Sequence, residues 1–534
     1  MNQAEVKRRQ AQAIAAVLAF ITLVVIARLA GYNGVAYVAA AAEVYALLCI
    51  AVSGGVSSVL GRILRLRGAK GQYRNAAAMR RNAFIFQAVL GGLGTAVLLL
   101  GADGIMVKLF RTQYSSAILM IFAPAVFLRS LSSILVGYSR GEGAEVPAAA
   151  ADILRQILIL VFSVIFSRML GNYGDKVSHL LAHANFTSMY GGIGVAIAVT
   201  LTEVLVVLFL LLIYSLSKKR KKRTIQDGMR ATDSIMDSIR ILCRNRGEKA
   251  GLQLLAVLFA PLGMIFWQKA TEGNEEAAAE YGVYIAGFCV LCGIAVSLIM
   301  LFLIPVCANT LSLLRKDESR FARNAFQYGV HIGVVHAAFL AVSAMTLSKQ
   351  FAAVFCGEQA ALAEKLLKGG APTGLLVALS LYFARILILT GKKYIVMGAT
   401  AAANVIYVVA TTVLLGGGKA GILSLVYAGL AACGVLCIML GMFAYRVFRQ
   451  RLDWLYVLVV PTAAACVAGL IGMLLGKVLT PHLGNLVALI VCLILSAALY
   501  WAGLLLLRNF REQELEMIPG GRLLNALGQM LRVF

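Results

Sequence analysis

Residues 33 to 54 read NGVAYVAAAAEVYALLCIAVSG, and residues 282 to 306 read GVYIAGFCVLCGIAVSLIMLFLIPV. Each is an apolar run long enough to cross about 30 Å of hydrocarbon as a helix rising roughly 1.5 Å per residue. Both hold a Gly-Val pair at their start: Gly34-Val35 recurs as Gly282-Val283, 248 residues on. The same spacing carries Ala123-Pro124 to Ala371-Pro372, and a spacing of 249 carries Arg74-Asn75-Ala76 to Arg323-Asn324-Ala325. Short matches in an alanine-rich chain are individually weak. Three that share nearly one offset, at equivalent places in a repeating hydropathy pattern, imply one six-helix plan stated twice. Two similar bundles of that kind enclose a path that opens to either side of a membrane, which points to a transporter.

Composition agrees. Of 534 residues, 61% are hydrophobic and 14% charged, with a mean hydropathy of +0.86. A water-soluble domain of this size needs far more polar surface. Fourteen apolar stretches of about 18 to 25 residues recur from residues 11 to 30 through to 484 to 507. The expected fold is therefore all-α: a polytopic membrane protein with 14 transmembrane helices, two parallel six-helix repeats and a C-terminal helix pair. Residues 1–216 form the first lobe, 217–250 a basic cytoplasmic linker, 251–443 the second lobe, and 444–534 the extra pair and a cytoplasmic tail. Six crossings per repeat is an even number, so the two copies share one orientation.

The net charge of +25 raises the possibility of a nucleic-acid partner, but its distribution excludes one. Lys7-Arg8-Arg9, the run from Arg62 to Arg81, the Lys218 to Arg223 block, Lys392-Lys393 and Arg446 to Arg451 all fall in alternate loops. This positive-inside pattern predicts a multi-pass plasma-membrane protein with both termini cytoplasmic. The Lys218 to Arg223 block either rests on anionic membrane lipids or acts only as a topology signal. Ile235, Met236, Ile239 and Leu242 are spaced for a short amphipathic helix on the membrane surface, and Leu523, Leu524, Leu527, Met530 and Leu531 for another in the tail. The first apolar segment lacks a small-residue cleavage site and is expected to remain as a helix. The longest external loops are expected at 169–189 and from Ser348 to Gly370, too small for a soluble catalytic domain. Gly191-Gly192-Ile193-Gly194 and Gly416-Gly417-Gly418 are expected at loop-to-helix junctions; neither follows a strand, so nucleotide binding is not indicated. The ten cysteines, including Cys289 and Cys292, read as small buried apolar residues, with no disulfide framework, metal site or cofactor.

Ionisable side chains inside apolar spans are costly and mark candidate sites. Six stand out: Glu43, Arg129, Asp152, Arg155, Glu203 and Arg385. Arg129 and Arg155 lie at similar depth from the cytoplasmic ends of their segments. Arg129, Arg155 and Arg385 could bind an anionic headgroup, since guanidinium forks suit phosphate oxygens. Alternatively, Asp152, three residues from Arg155, neutralises it, and Arg385 snorkels to the surface. Glu43, Asp152 and Glu203 are candidates for ion coupling; Glu43 and Glu203 lie near mid-membrane, where a proton or cation would relieve their charge, as would a hydrogen-bonded neutral carboxyl. His331 and His336 read as packed or hydrogen-bonded. Pro124, Pro261 and Pro372 mark possible bends.

Two regions carry a family likeness. Val56-Ser57-Ser58-Val59-Leu60 through Gly68 and Gly71-Gln72-Tyr73 to Arg81, and Gly137-Tyr138-Ser139-Arg140-Gly141 followed by Pro147-Ala148-Ala149, resemble the stage V sporulation protein B and lipid II flippase group. That group lies within the superfamily of multidrug, oligosaccharidyl-lipid and polysaccharide (MOP) exporters. The resemblance implies a flippase, not an enzyme, which moves a polyprenyl-pyrophosphate-linked sugar across the plasma membrane by alternating access. A coupling H+ or Na+ and a monomeric state are expected with it. The alternative is a multidrug cation antiporter of the same superfamily. The chain departs from the group at residues 11 to 27, which carry no embedded arginine, and at Asp152 and Arg155, where relatives often have Gln and Glu.

Overall fold

A computed structural model describes residues 3–181, 185–221, 234–417, 421–449, 453–510 and 514. The Lys222-Arg223 end of the basic block, the Leu523 to Leu531 stretch and Gly418 lie outside the described residues. Among the described residues there is no strand, and twelve helical spans are long and apolar enough to cross a membrane. The fourteen expected segments appear as twelve because the first two and the last two each run together. Val6–Ala69 and Leu455–Leu506 are 64 and 52 residues long. Within the first, α1 (Gln3–Ser53) is broken at Gly31, with φ 72° and ψ 175°. Within the second, α17 (Val460–Leu506) is broken at Gly484, with φ 74° and ψ 166°. Both angles lie where a β-carbon is strained, so glycine lets two helices meet without a loop.

The remaining helices, in chain order, are α2 (Val56–Ala69), α3 (Tyr73–Asp103), α4 (Ser115–Gly141), α5 (Val146–Leu181), α6 (Asn185–Lys221), α7 (Ile235–Val257), α8 (Phe259–Ala270) and α9 (Glu275–Val283). They continue as α10 (Val290–Arg315), α11 (Ser319–Thr346), α12 (Ser348–Cys356), α13 (Ala360–Gly370), α14 (Pro372–Leu389), α15 (Lys393–Gly416) and α16 (Leu423–Phe448). The chain divides into two compact units, one of residues 21–282 and one of residues 1–20 with 283–534.

In the first unit α4 packs against α2, α3 and α6, and α5 lies along α6. Lipid is as apolar as a leucine side chain, so close approach through small residues replaces the hydrophobic drive between helices. The glycines expected at a loop junction serve this purpose inside α6. A β-carbon at Gly191 would sit 2.7 Å from Ala30 Cβ, one at Gly192 2.7 Å from Ile118 Cδ1, and one at Gly194 2.6 Å from the Phe166 backbone. The loop expected at 169–189 is mostly helix, because α5 extends to Leu181 and α6 begins at Asn185. Pro124 sits inside α4, where it removes a backbone bond; nearby carbonyls are met by hydroxyls, with Thr200 Oγ1 donating to Ile121 O at 2.8 Å and Thr95 Oγ1 to Ala123 O at 2.9 Å.

The amphipathic stretch at 235–242 is not a separate surface helix. It opens α7, capped by Ser234 and Asp237 in a reciprocal box, and runs toward α8 as one 36-residue span. Ser238 and Leu242 are buried while Ile235 and Met236 are exposed, so one side of its first turns rests on protein, against α2 and α3.

In the second unit α14 packs against α10, α11 and α16, and α17 against α11 and α12. Phe326 stacks on Phe448 at 4.4 Å and meets Tyr445 edge-on at 5.1 Å. The C-terminal pair is fastened to α11 by polar contacts. His331 Nδ1 lies 3.2 Å from Glu514, Asn509 Nδ2 lies 2.9 Å from His331 Nε2, and Tyr500 donates to Val335 O at 2.8 Å. His336 packs between Phe302 and Trp501. The stretch from Ser348 to Gly370, expected as a loop, forms α12 and α13.

The repeated Gly-Val pair now has a physical explanation. A β-carbon at Gly34 would lie 3.0 Å from Ser188 O, and one at Gly282 would lie 1.9 Å from Tyr32 O. Gly68, by contrast, has nothing within 4 Å. Gly282→Ala is therefore expected to lower the thermal unfolding midpoint of the detergent-solubilised protein by several degrees, and Gly68→Ala to leave it unchanged or raise it by the equivalent of about 0.5 kcal/mol. Equal midpoints for the two variants would contradict the packing.

Candidate functional site

Four of the six embedded charges converge in the first unit. Glu203, on α6, is 2% exposed at its side chain, too buried for water to solvate its charge. Arg155, from α5, reaches it with Nε to Oε1 at 2.8 Å and Nη2 to Oε2 at 3.4 Å. Arg129, from α4, adds Nη1 to Oε1 at 3.1 Å. Arg155 Nη1 also meets Asp152 Oδ1 at 3.1 Å, within one helix at i, i+3 spacing. Two guanidiniums and two carboxylates give formal charge balance within the cluster.

Burial orders these groups. Glu203 and Arg155 are sealed, at 2% and 8% side-chain exposure, whereas Asp152 and Arg129 are 27% and 37% exposed. Arg129 spends one N–H on Glu203 and presents the rest of its fork outward. Tyr45 and Cys49 of α1, four residues apart and so on one helical face, lie within electrostatic reach of Arg129 and Glu203. Tyr45 stacks on Phe122 of α4 at 5.2 Å. Four helices thus supply the site: α1, α4, α5 and α6.

The remaining two candidates lie elsewhere. Glu43, two residues before Tyr45, projects from another side of α1 and accepts a hydrogen bond from Tyr281 Oη at 3.0 Å. Arg385 belongs to the other unit, half-buried on α14, with Cys307 of α10 in electrostatic reach. The matched depths of Arg129 and Arg155 and the Asp152 pairing were legible from spacing. That both arginines share one carboxylate was not, because the contact to Glu203 spans 74 residues from one and 48 from the other. In this arrangement the charge of Glu203 is met by two cations of the protein itself. No group of three or more His, Cys, Asp or Glu among the described residues is placed to hold a metal.

Sequence reasoning missed Arg246. It sits in the stretch expected to be linker, yet it donates to Ala51 O at 2.8 Å and to Val52 O, closing the carboxyl end of α1. Lys249 bonds Ser58 Oγ at 2.9 Å, and Arg62 bonds Asn245 Oδ1 at 3.2 Å. The chain breaks helix there at Gly54-Gly55, and cations suit freed helix carbonyls. The only sequence signal is a basic run beside a Gly-Gly pair, which a topology signal would also produce.

Removing the shared anion leaves the buried Arg155 and the half-exposed Arg129 facing each other in mutual repulsion. Glu203→Gln is expected to cost roughly 3–5 kcal/mol, and Glu203→Leu combined with Arg155→Met to recover much of that loss. Thermal unfolding in detergent checks both; a wild-type midpoint for Glu203→Gln would show that the cluster carries no such energy.

No protein-family model matches the sequence, and no curated protein sequence matches it. Solved structures do match. An inward-facing multidrug resistance MATE family transporter of the MOP superfamily aligns with a TM-score of 0.60 and 15% identity, over 82% of this chain and 94% of its own. The lipid II flippase MurJ, in an inward closed conformation, aligns with a TM-score of 0.60 and 13% identity, over 92% of this chain and 96% of its own. A MOP superfamily transporter from Pyrococcus furiosus, described as having a binding pocket of reverse polarity that suggests a different function, aligns at 0.54 and 16% identity, over 84% and 99%. At these identities the likeness shows the fold: this chain is a multi-pass membrane protein with the architecture of the MOP superfamily transporters.

Proposed function

We propose that the protein is an exporter that moves a polyprenyl-pyrophosphate-linked oligosaccharide, a cell-wall or polysaccharide precursor, across the plasma membrane by alternating access. The observation that carries this reading is the order of burial in the charge cluster. Its carboxylate Glu203 is sealed between arginines, and its most exposed group is a guanidinium with unused donors, the geometry that suits phosphate oxygens. In this reading Arg129, Arg155 and Arg385 are the substrate-binding cations, Arg129 through its unused donors and Arg155 by holding Glu203. Anionic lipids flank the basic loops, both termini are cytoplasmic, and one copy is the working unit.

The reading takes the lobes as residues 1–216 and 251–443, joined by 217–250 and followed by 444–534. It counts fourteen crossings, since the 64- and 52-residue spans are each about twice what a bilayer requires and each is broken at a glycine. The alternative, a multidrug cation antiporter, draws on the partly exposed Asp152 and on the MATE likeness.

Leaflet-resolved accessibility of undecaprenyl-linked sugars in cells depleted of the protein separates the two. Inner-leaflet accumulation is expected, with Arg129→Ala failing to restore outward movement by roughly tenfold or more and Arg129→Lys restoring part of it. An unchanged leaflet distribution, together with cation-drug sensitivity on depletion, would replace the lipid-carrier reading by the antiporter.

A further inference from the structure

Glu43 sits in the apolar run of residues 33 to 54, and its surroundings differ in kind from those of Glu203. It is 8% exposed. Its Oε1 accepts from Tyr281 Oη at 3.0 Å, and its Oε2 is buried with no hydrogen-bond partner among the described residues. Tyr281, at the end of α9, is itself 1% exposed, and its hydroxyl also lies 3.5 Å from Ala260 O on α8, one residue before Pro261. Besides Glu43, the titratable groups on these elements are Glu5, Lys7, Arg8, Arg9, Arg28, Tyr32, Tyr37, Tyr45 and Cys49 on α1, Lys269 on α8, and Glu275, Glu276, Glu280 and Tyr281 on α9. Of these only Tyr281 bears on Glu43, and no ion pair to Glu43 occurs among the described residues.

We propose that Glu43 is a proton-binding site whose state is read by Tyr281. An ionised carboxylate held by one neutral hydroxyl in an apolar interior carries an uncompensated charge, which only a bound cation or a proton relieves. A hard metal ion collects six or so oxygens. The site offers one carboxylate, one hydroxyl and one carbonyl, so the proton is the ligand it fits.

The hydrogen bond then has two directions. With Glu43 ionised, Tyr281 donates to Oε1. When Glu43 takes up a proton, its new O–H donates to the Tyr281 oxygen and the tyrosine hydrogen turns to Ala260 O, beside the proline of α8. One O–H bond forms on Glu43, and the Tyr281 hydroxyl of α9 changes from donating to α1 to donating to α8. The opposite side of α1 carries Tyr45 and Cys49 beside Arg129 and Glu203, so one helix touches both the proton site and the charge cluster. The repeat counterpart of Glu43, at an offset of 248, is Leu291, so the scaffold itself has no need of a carboxyl there. As the coupling ion of transport, this proton rests on the function proposed above; as a binding event it stands alone.

Infrared difference spectroscopy of the purified protein through a pH step tests the site without a transport substrate. A protonated-carboxyl band should appear on acidification, vanish in Glu43→Gln, shift in Tyr281→Phe and persist when sodium replaces choline at constant pH. Glu43→Gln, which imitates the neutral acid, should keep the wild-type unfolding midpoint. If no band is lost in Glu43→Gln, or Tyr281→Phe leaves every band in place, or sodium abolishes the band, the proton site is wrong. In proteoliposomes Glu43→Gln should lose at least tenfold of any pH-gradient-driven movement of lipid-linked sugar. An assigned band with no such movement in the wild-type protein would overturn the carrier function and leave the proton site supported.

Discussion

A carboxylate buried in an apolar helix bundle has to be neutralised by something, and at Glu203 that demand organises the first unit. Among the described residues, guanidiniums from two other helices meet both of its oxygens. Their approach sets the register of α4 and α5 against α6, since a shift of either helix by one turn, about 5.4 Å, would take its arginine out of reach of Glu203. The surrounding contacts follow. Hydroxyls of Thr95 and Thr200 meet carbonyls near Pro124, and the glycines of α6 let α1, α4 and α5 close in.

Close approach is the second constraint. In a bilayer, helices gain little from hiding leucines from lipid, so packing distance carries stability. Gly34 and Gly282 illustrate this. Gly34 follows the Gly31 break within α1 and faces the Ser188 backbone, while Gly282 lies at the end of α9 and faces the Tyr32 carbonyl. At each glycine a helix meets another backbone with no space for a side chain.

The legible part of this protein was what depends on local pattern. Apolar runs gave nearly every helix, and spacing gave the Asp152–Arg155 pair. Four expectations failed for one shared reason: a loop, a surface helix and an extended structured segment differ in what they pack against, not in composition. Residues 169–181 continue α5 and 185–189 open α6, residues 235–242 lead into the seventh span, the Gly-rich run at 191–194 lies within α6, and the stretch from Ser348 to Gly370 forms α12 and α13. Arg246, read as one charge among many in a basic linker, closes the end of α1.

From the sequence alone come the membrane class and the identity of the six embedded charges, because burial in lipid imposes a length and a polarity that composition records directly. The tertiary structure alone decides which charges meet. It gives Glu203 two arginines and Glu43 a single tyrosine, although both are glutamates in similar apolar runs. The physical reason is that the energy of a buried charge depends on partners a few ångströms away, brought from helices 48 to 238 residues distant in the chain.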